Sequence, residues 1–152
     1  MKIQSKNKIE QPLGRILSHV GRNFLYLINR KLPHLDIKRN FYALLLIEQG
    51  KGEITQQELA NLLNSDKVSV VRIINYLSKL GYVKRIRKNT DKRKYCLLLT
   101  RKAIKDLPKI KKTLHDVTNI ACKRLTPTQI EEFSKALEII KNNLNIKSSS
   151  YE

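Results

Sequence analysis

The chain has 152 residues, 41% of them hydrophobic, and 31 Lys and Arg against 13 Asp and Glu give it a formal net charge of +18. That length favours one domain with a sizeable core, and that charge favours nucleic acid or another polyanion as partner. Cys96 and Cys122 make no disulfide framework or C-x-x-C site, no run approaches a membrane span, and no signal-peptide core follows Met1, so the expected location is the cytoplasm.

Residues 1–11 and the tail 148–152 are polar and expected to be loosely ordered. Pro12 suits the first turn of a helix. Leu13, Ile16, Leu17, Val20, Phe24, Leu27 and Ile28 then recur at helical spacing to about Lys31, and Pro33 closes that helix. Asp36 is the predicted N-cap of a second helix, which carries Phe41, Leu44, Leu45 and Glu48 to an end near Gly50 and Gly52. Glu53 and Ile54 are expected to add a short strand to the hairpin that comes later.

Thr55 and Glu58 form a Ser/Thr-x-x-Glu capping box ahead of the apolar set Leu59, Leu62 and Leu63. Asn64 and Ser65 interrupt this helix. Asp66 then caps another, with Val70, Ile73, Ile74 and Leu77 as its buried face, and Gly81 falls where a C′ residue should. Two β-type runs follow, 82–87 and 94–99, joined by the polar link 88–93. Helix, turn, helix and basic hairpin spell a winged helix-turn-helix.

Thr100 is the predicted N-cap of a long helix with apolar positions Ile104, Leu107, Leu114, Val117, Ala121 and Leu125; at Pro108 it is expected to kink or to begin. Thr126 and Gln129 form a second capping box with Pro127 at the first helical position. The last helix shows Ile130, Phe133, Leu137, Ile140 and Leu144 at 3-4-3-4 spacing. The fold class is therefore mainly α with a small β-hairpin wing. Residues 1–152 read as a single domain, with a winged helix at about 36–100 flanked by N- and C-terminal helices at 12–31 and 101–145. The apolar stripes of those flanking helices exceed what a small winged helix can cover, which leaves a monomeric core or a two-fold dimer interface as their use.

The charge concentrates on the hairpin. Between Lys84 and Lys105 ten basic residues stand against one acid, Asp91, which amounts to half of the chain's net charge. Such a density is relieved when a polyanion neutralises it, and DNA phosphates do so. On the second helix of the motif Lys67, Val68, Ser69 and Arg72 lie off the buried stripe, and the N-terminal residues of such a helix reach base edges. Arg72 has the fork for a guanine edge or a phosphate, Val68 can meet a thymine methyl, and Ser69 can bond a base or a phosphate. Thr55 and Gln56 sit at a helix N-terminus that can lie near a phosphate, although capping alone accounts for Thr55.

The run Asp91, Arg93, Leu97, Leu99, Thr100 resembles the D-x-R-x-x-x-L-x-L-T wing motif of the MarR family of bacterial transcription regulators. Residues 68–83 resemble that family's recognition helix with its L-x-x-x-G-hydrophobic-V ending, here Leu77, Gly81, Tyr82 and Val83. The resemblance covers nearly the whole chain. It implies a homodimer in which the flanking helices interlock and two recognition helices meet successive major grooves of double-stranded DNA. It implies that Arg93 enters the minor groove from the wing tip. Asp91 would then hold Arg93 or the turn, because a carboxylate facing phosphate is repelled, while Lys88, Lys92 and Lys94 supply phosphate charge. Many members bind small, often aromatic acids; Val20, Phe24, Tyr42, Leu46 and Arg22 or Arg39 are residues that would line such a crevice, and ordinary core explains the apolar ones equally well.

His19, His34 and His115 show no zinc-site spacing, and no paired carboxylates, nucleophile elbow or Gly-rich phosphate loop appears, so no metal, cofactor or enzymatic activity is expected. The cysteines read as packing residues. The expected function is sequence-specific transcriptional regulation by a dimeric repressor on an inverted-repeat operator, released by a ligand or signal. An architectural DNA-binding protein and a winged helix that docks on an acidic protein are the alternatives.

Overall fold

A computed structural model describes residues 11–87 and 94–144. The tail, the polar start other than Gln11, and the link 88–93 lie outside the described residues. The elements in order are α1 (Leu13–Lys31), α2 (Phe41–Gln49), α3 (Gln56–Leu62), α4 (Lys67–Lys79), β1 (Val83–Arg87), β2 (Tyr95–Leu99), α5 (Arg101–Ala121) and α6 (Pro127–Leu144). By its contacts the chain divides into two compact units, Met1–His115 and Asp116–Glu152.

In the first unit, α2, α3, α4 and the hairpin pack on one another. Leu44, Ile47, Leu59, Val70, Ile74, Leu77 and Leu97 are wholly buried there. Each such side chain contributes about 1.5–3 kcal/mol of burial free energy. The hairpin is antiparallel, with Val83 opposite Leu99 and Arg85 opposite Leu97. Its inner edge is extended by the preceding loop: Thr55 bridges Cys96, and the Leu97 amide donates to the Ile54 carbonyl at 2.8 Å. The strand expected at Glu53 and Ile54 is thus reduced to one bridge, displaced to Thr55.

The caps form as their sequences dictate. Glu58 N–H donates to Thr55 Oγ1 at 3.2 Å while Thr55 N–H donates to Glu58 Oε2 at 2.7 Å. Asp66 takes the Ser69 amide at 2.9 Å. At the far end of α4, Gly81 N–H reaches Ser78 O and Tyr82 N–H reaches Leu77 O, the two bonds of a Schellman motif. That motif needs a left-handed residue, and Gly81 has φ +77°. A Cβ there would meet nothing nearer than the Lys102 Cδ at 4.0 Å, so backbone conformation, not crowding, demands glycine.

Several expectations fail, each for a tertiary reason. Asp36 caps no helix: Ile37 turns inward to full burial, Lys38 takes φ +52°, and α2 starts at Phe41 behind Asn40, which makes no side-chain cap bond. Asp36 instead gives its carbonyl to the Tyr76 hydroxyl at 2.5 Å. Leu62 is exposed, because α3 is only seven residues long and turns away after Leu59 and Ala60 are buried. In α5 the buried face is Ala103, Leu107, Ile110, Thr113 and Val117, while Ile104 is 59% exposed. Leu107 and Val117 are buried as expected, while Ala103 and Thr113 take the inward places in preference to Ile104 and Leu114. Pro108 lies inside one continuous helix. It faces solvent, so water can serve the Ile104 carbonyl that a proline nitrogen cannot.

In the second unit, Thr126 and Gln129 cap α6 reciprocally, at 2.9 Å and 3.2 Å, with Pro127 at the first helical position. No residue of α6 is buried; Ile130, Leu137 and Ile140 are half-buried and Phe133 is 55% exposed.

Gly81→Ala should lower the unfolding free energy by about 1–2 kcal/mol, and Thr55→Ala by about 1 kcal/mol; urea midpoints at constant slope would show both. Asp66 gives a pH signature. Ser69, through its hydroxyl and its amide, holds the Asp66 carboxyl below the ordinary value of 3.8. A depressed folded-state value means that the cap's stabilisation is present above the unfolded-state value and is lost as pH falls through the folded one. Asp66→Asn, which keeps a cap oxygen without a titrating proton, should therefore lose less stability than wild type when pH is lowered past 3.8. Equal acid losses would remove Asp66 from the acid limb.

Candidate nucleic-acid interface

The exposed side of α4 is set by its buried one. Val70, Ile74 and Leu77 turn to the core, so the opposite face carries Lys67, Val68, Arg72 and Asn75 into solvent. Val68 is 60% exposed. Ser69 is half-buried, and its hydroxyl donates to Asp66 Oδ2 at 2.5 Å. Its proton is engaged, and what remains for a ligand is an acceptor lone pair. Arg72 lines an open groove of about 540 Å³ together with Arg39, Tyr42, Leu63 and Ser69. Of the residues expected from sequence to line a crevice, Arg39 and Tyr42 are in this groove, Leu46 lines another beside Glu58 and Leu62, and Arg22 lines a third with Arg15 and His19.

Beside α4 stand the hairpin strands. Lys84, Arg85 and Arg87 of β1 are exposed, and Lys94 is exposed at the start of the return strand. Arg87 lies 5.9 Å from the Tyr95 ring centre. Arg85 makes two side-chain bonds, from Nε to Gln56 Oε1 and from Nη2 to Asn75 Oδ1, both at 2.7 Å. The charge density of the hairpin flagged Arg85, but nothing in the sequence flagged its acceptors, which lie 29 and 10 residues away. Lys88, Asp91, Lys92 and Arg93 lie outside the described residues.

Two tyrosines tie this face to the rest of the first unit. Tyr76 donates to the Asp36 carbonyl and lies under Lys38 Nζ, 4.8 Å from the ring centre; burial, then the Asp36 charge, push its hydroxyl above the ordinary tyrosine value. Tyr82 donates to Asp106 of α5 at 2.8 Å, and burial, then that carboxylate, raise it further still. Both stay protonated and act as donors at neutral pH. Among the described residues no cluster of three His, Cys, Asp or Glu is placed to hold a metal, and no helix is long and apolar enough to cross a membrane.

Comparison with known proteins agrees with this geometry. The sequence profile of the MarR family matches residues 38–94. The multiple antibiotic resistance protein MarR of Salmonella typhimurium is 32% identical over 89 residues, 59% of this chain and 62% of that one. A putative transcriptional regulatory protein for the hcr operon of Thauera aromatica is matched over 44% of its length, so the chain spans less than two thirds of these relatives. Over more of the chain, a MarR transcriptional regulator from Methanosarcina mazei Go1 is 30% identical, covering 86% of this chain and 94% of that one with a TM-score of 0.73. A mutant MarR of E. coli complexed with operator DNA is 27% identical over 85% of this chain and 93% of that one, TM-score 0.75. The likeness to the Methanosarcina regulator runs along almost the whole of that chain, and this protein belongs to the MarR family.

Proposed function

We propose that the protein is a dimeric, sequence-specific regulator of transcription, of repressor type, that holds an inverted-repeat operator and releases it when a ligand or signal changes the separation of its two recognition helices. It acts without catalysis, in the cytoplasm. One observation carries the reading: the N-terminal half of α4 presents Lys67, Val68 and Arg72 to solvent beside the exposed cations of β1. Lys67 and Arg72 supply phosphate or guanine-edge contacts, Val68 a surface for a thymine methyl, and Ser69 an acceptor. Lys88, Lys92 and Lys94 supply phosphate charge, and Arg93, steadied by Asp91, reads minor-groove width. A mutant MarR of E. coli that shares this fold is complexed with operator DNA, which supports DNA as the partner.

The dimer is supported by what α1 and α6 leave uncovered. Ile28 is the buried residue of α1, while Leu13, Ile16, Val20 and Tyr26 are exposed. Phe133, Ile139 and Leu144 are exposed on α6. Apolar faces of this extent mark association surfaces. In this reading 36–100 is the DNA-binding part of one domain, and the helices near 12–31 and 101–145 are its dimerisation elements.

Titrations on a site selected from random DNA, against a scrambled duplex at one salt concentration, test the regulator. Arg72→Ala should cost about 1–3 kcal/mol on the selected site and much less on the scrambled one. Arg93→Ala should hurt most where the flanks are A·T-rich. The wild-type log–log salt slope should be steep, about −0.9 per phosphate neutralised. A selected-to-scrambled ratio near one would leave an architectural protein, and a flat salt response a protein-docking wing.

Assembly has its own measurement. Sedimentation should give a dimer at micromolar concentration, and Phe133→Asp should dissociate or unfold it, since a charge would be forced into an apolar seam. A wild-type monomer under those conditions refutes the dimer.

A further inference from the structure

We propose that Arg85 is a positioning residue that braces the wing against the recognition helix, fixing the separation between the bases that α4 reads and the stretch of groove that the wing reads. The inference rests on the DNA reading above and gives a role of its own to one of the β1 cations.

The hairpin is held unevenly. β2 is the inner strand: Cys96, Leu97 and Leu99 are buried, and the 54–55 segment pairs with its far edge. β1 pairs with β2 on one side and exposes Lys84, Arg85 and Arg87 on the other. The burial of Val83 anchors β1 at its base. Arg85 lies two residues further out, about 7 Å along the strand. A brace at that point resists hinging about the base much better than one at Val83 would.

The two acceptors of Arg85 belong to different elements. Gln56 is the first residue of α3 and Asn75 lies in the third turn of α4, so one planar guanidinium ties the wing to both helices of the motif, with both bonds at 2.7 Å. Both acceptors are neutral amides. A carboxylate partner would hold the arginine equally well but cancel its charge; the amides hold it and leave that charge facing the solvent beside α4. Lysine cannot replace this arrangement, because a single ammonium lacks the rigid fork that meets two fixed oxygens on separate helices.

The experiment compares the selected operator with versions that carry one base pair inserted or deleted between the helix-read half-site and its A·T-rich flank. Wild type should prefer the native spacing by about tenfold or more, as a displaced contact costs about what a mismatched base pair does. Arg85→Ala and Arg85→Lys should both bind the native site about three- to tenfold more weakly and discriminate spacing by roughly threefold or less. Gln56→Ala and Asn75→Ala should each fall between, and adding Arg85→Ala to the pair should change little further, since coupled residues are not additive. All three side chains lie at or near the surface, and if Arg85→Ala fails to fold, the two amide variants carry the same comparison. Arg85→Lys behaving as wild type would show that charge alone matters and overturn the brace. So would an equal loss by Arg85→Ala on every spacing, which marks a plain phosphate contact, or a wild type that binds its site specifically yet ignores spacing. A wild type with no preference for the selected site at all overturns the regulator reading itself, before any variant is made.

Discussion

The joint at the end of α4 ties the helix-turn-helix, both strands of the hairpin and α5 to one another. Just past α4 three successive carbonyls, of Leu80, Gly81 and Tyr82, are all taken by two residues at the start of α5. Lys102 Nζ donates to Leu80 O at 2.7 Å, Thr100 Oγ1 to Gly81 O at 2.6 Å, and Thr100 N–H to Tyr82 O at 3.0 Å. Lys102 Nζ also sits 4.5 Å from the Tyr82 ring centre, and the Tyr82 hydroxyl reaches Asp106 one turn along α5. One point thus fixes the exit of the recognition helix, the root of both strands and the origin of the long helix. Thr100 does this while its hydroxyl also accepts the Ala103 amide as the cap of α5, at 3.3 Å.

That joint connects the end of α4 to the start of α5. A ligand moves a protein only by as much as it binds two arrangements differently. The start of α5 meets the segment after α4 through one backbone bond, Thr100 N–H to Tyr82 O, and two side-chain bonds, from Thr100 Oγ1 and Lys102 Nζ. The Lys111–Glu48 ion pair at 2.7 Å adds a link from α5 to α2, but both side chains are more than a third exposed, so it contributes little beside the joint.

Legibility in the sequence follows the range of the interaction. The Thr55–Glu58 and Thr126–Gln129 boxes, the Asp66 cap and the Gly81 turn were all readable, because donor and acceptor lie within about five residues and backbone geometry fixes the outcome. Asp36 is chemically the same residue as Asp66 and fails as a cap, since the burial of Ile37 pulls the chain off a helical course there. Ile104 is more hydrophobic than Ala103 and is nevertheless the exposed one. The joint at Thr100 and Lys102 fixes the rotation of α5, and that rotation admits Ala103, Leu107 and Ile110 to the core. The α4 face was legible as the complement of its apolar stripe; the Gln56–Arg85–Asn75 contact was not, because no local pattern encodes where a strand returns against two helices.

The distribution of counter-charges bears on why a chain of net charge +18 folds at all. Ion pairs at Lys111–Glu48, Lys135–Glu131 and Lys141–Glu138 lie on α2, α5 and α6. Around the helix-turn-helix the cations are fastened in another way: Arg85 to two amides, Lys102 to a carbonyl and a ring, Lys38 over Tyr76 and Arg87 over Tyr95. Amides, carbonyls and ring faces orient a cation without neutralising it. These contacts orient positive charge on the surface beside α4 through neutral groups. Self-repulsion of that charge works against the compact state until an anion arrives. Pre-orienting the cations also lowers the side-chain entropy lost when phosphates bind, so the same contacts that strain the free protein electrostatically favour its complex.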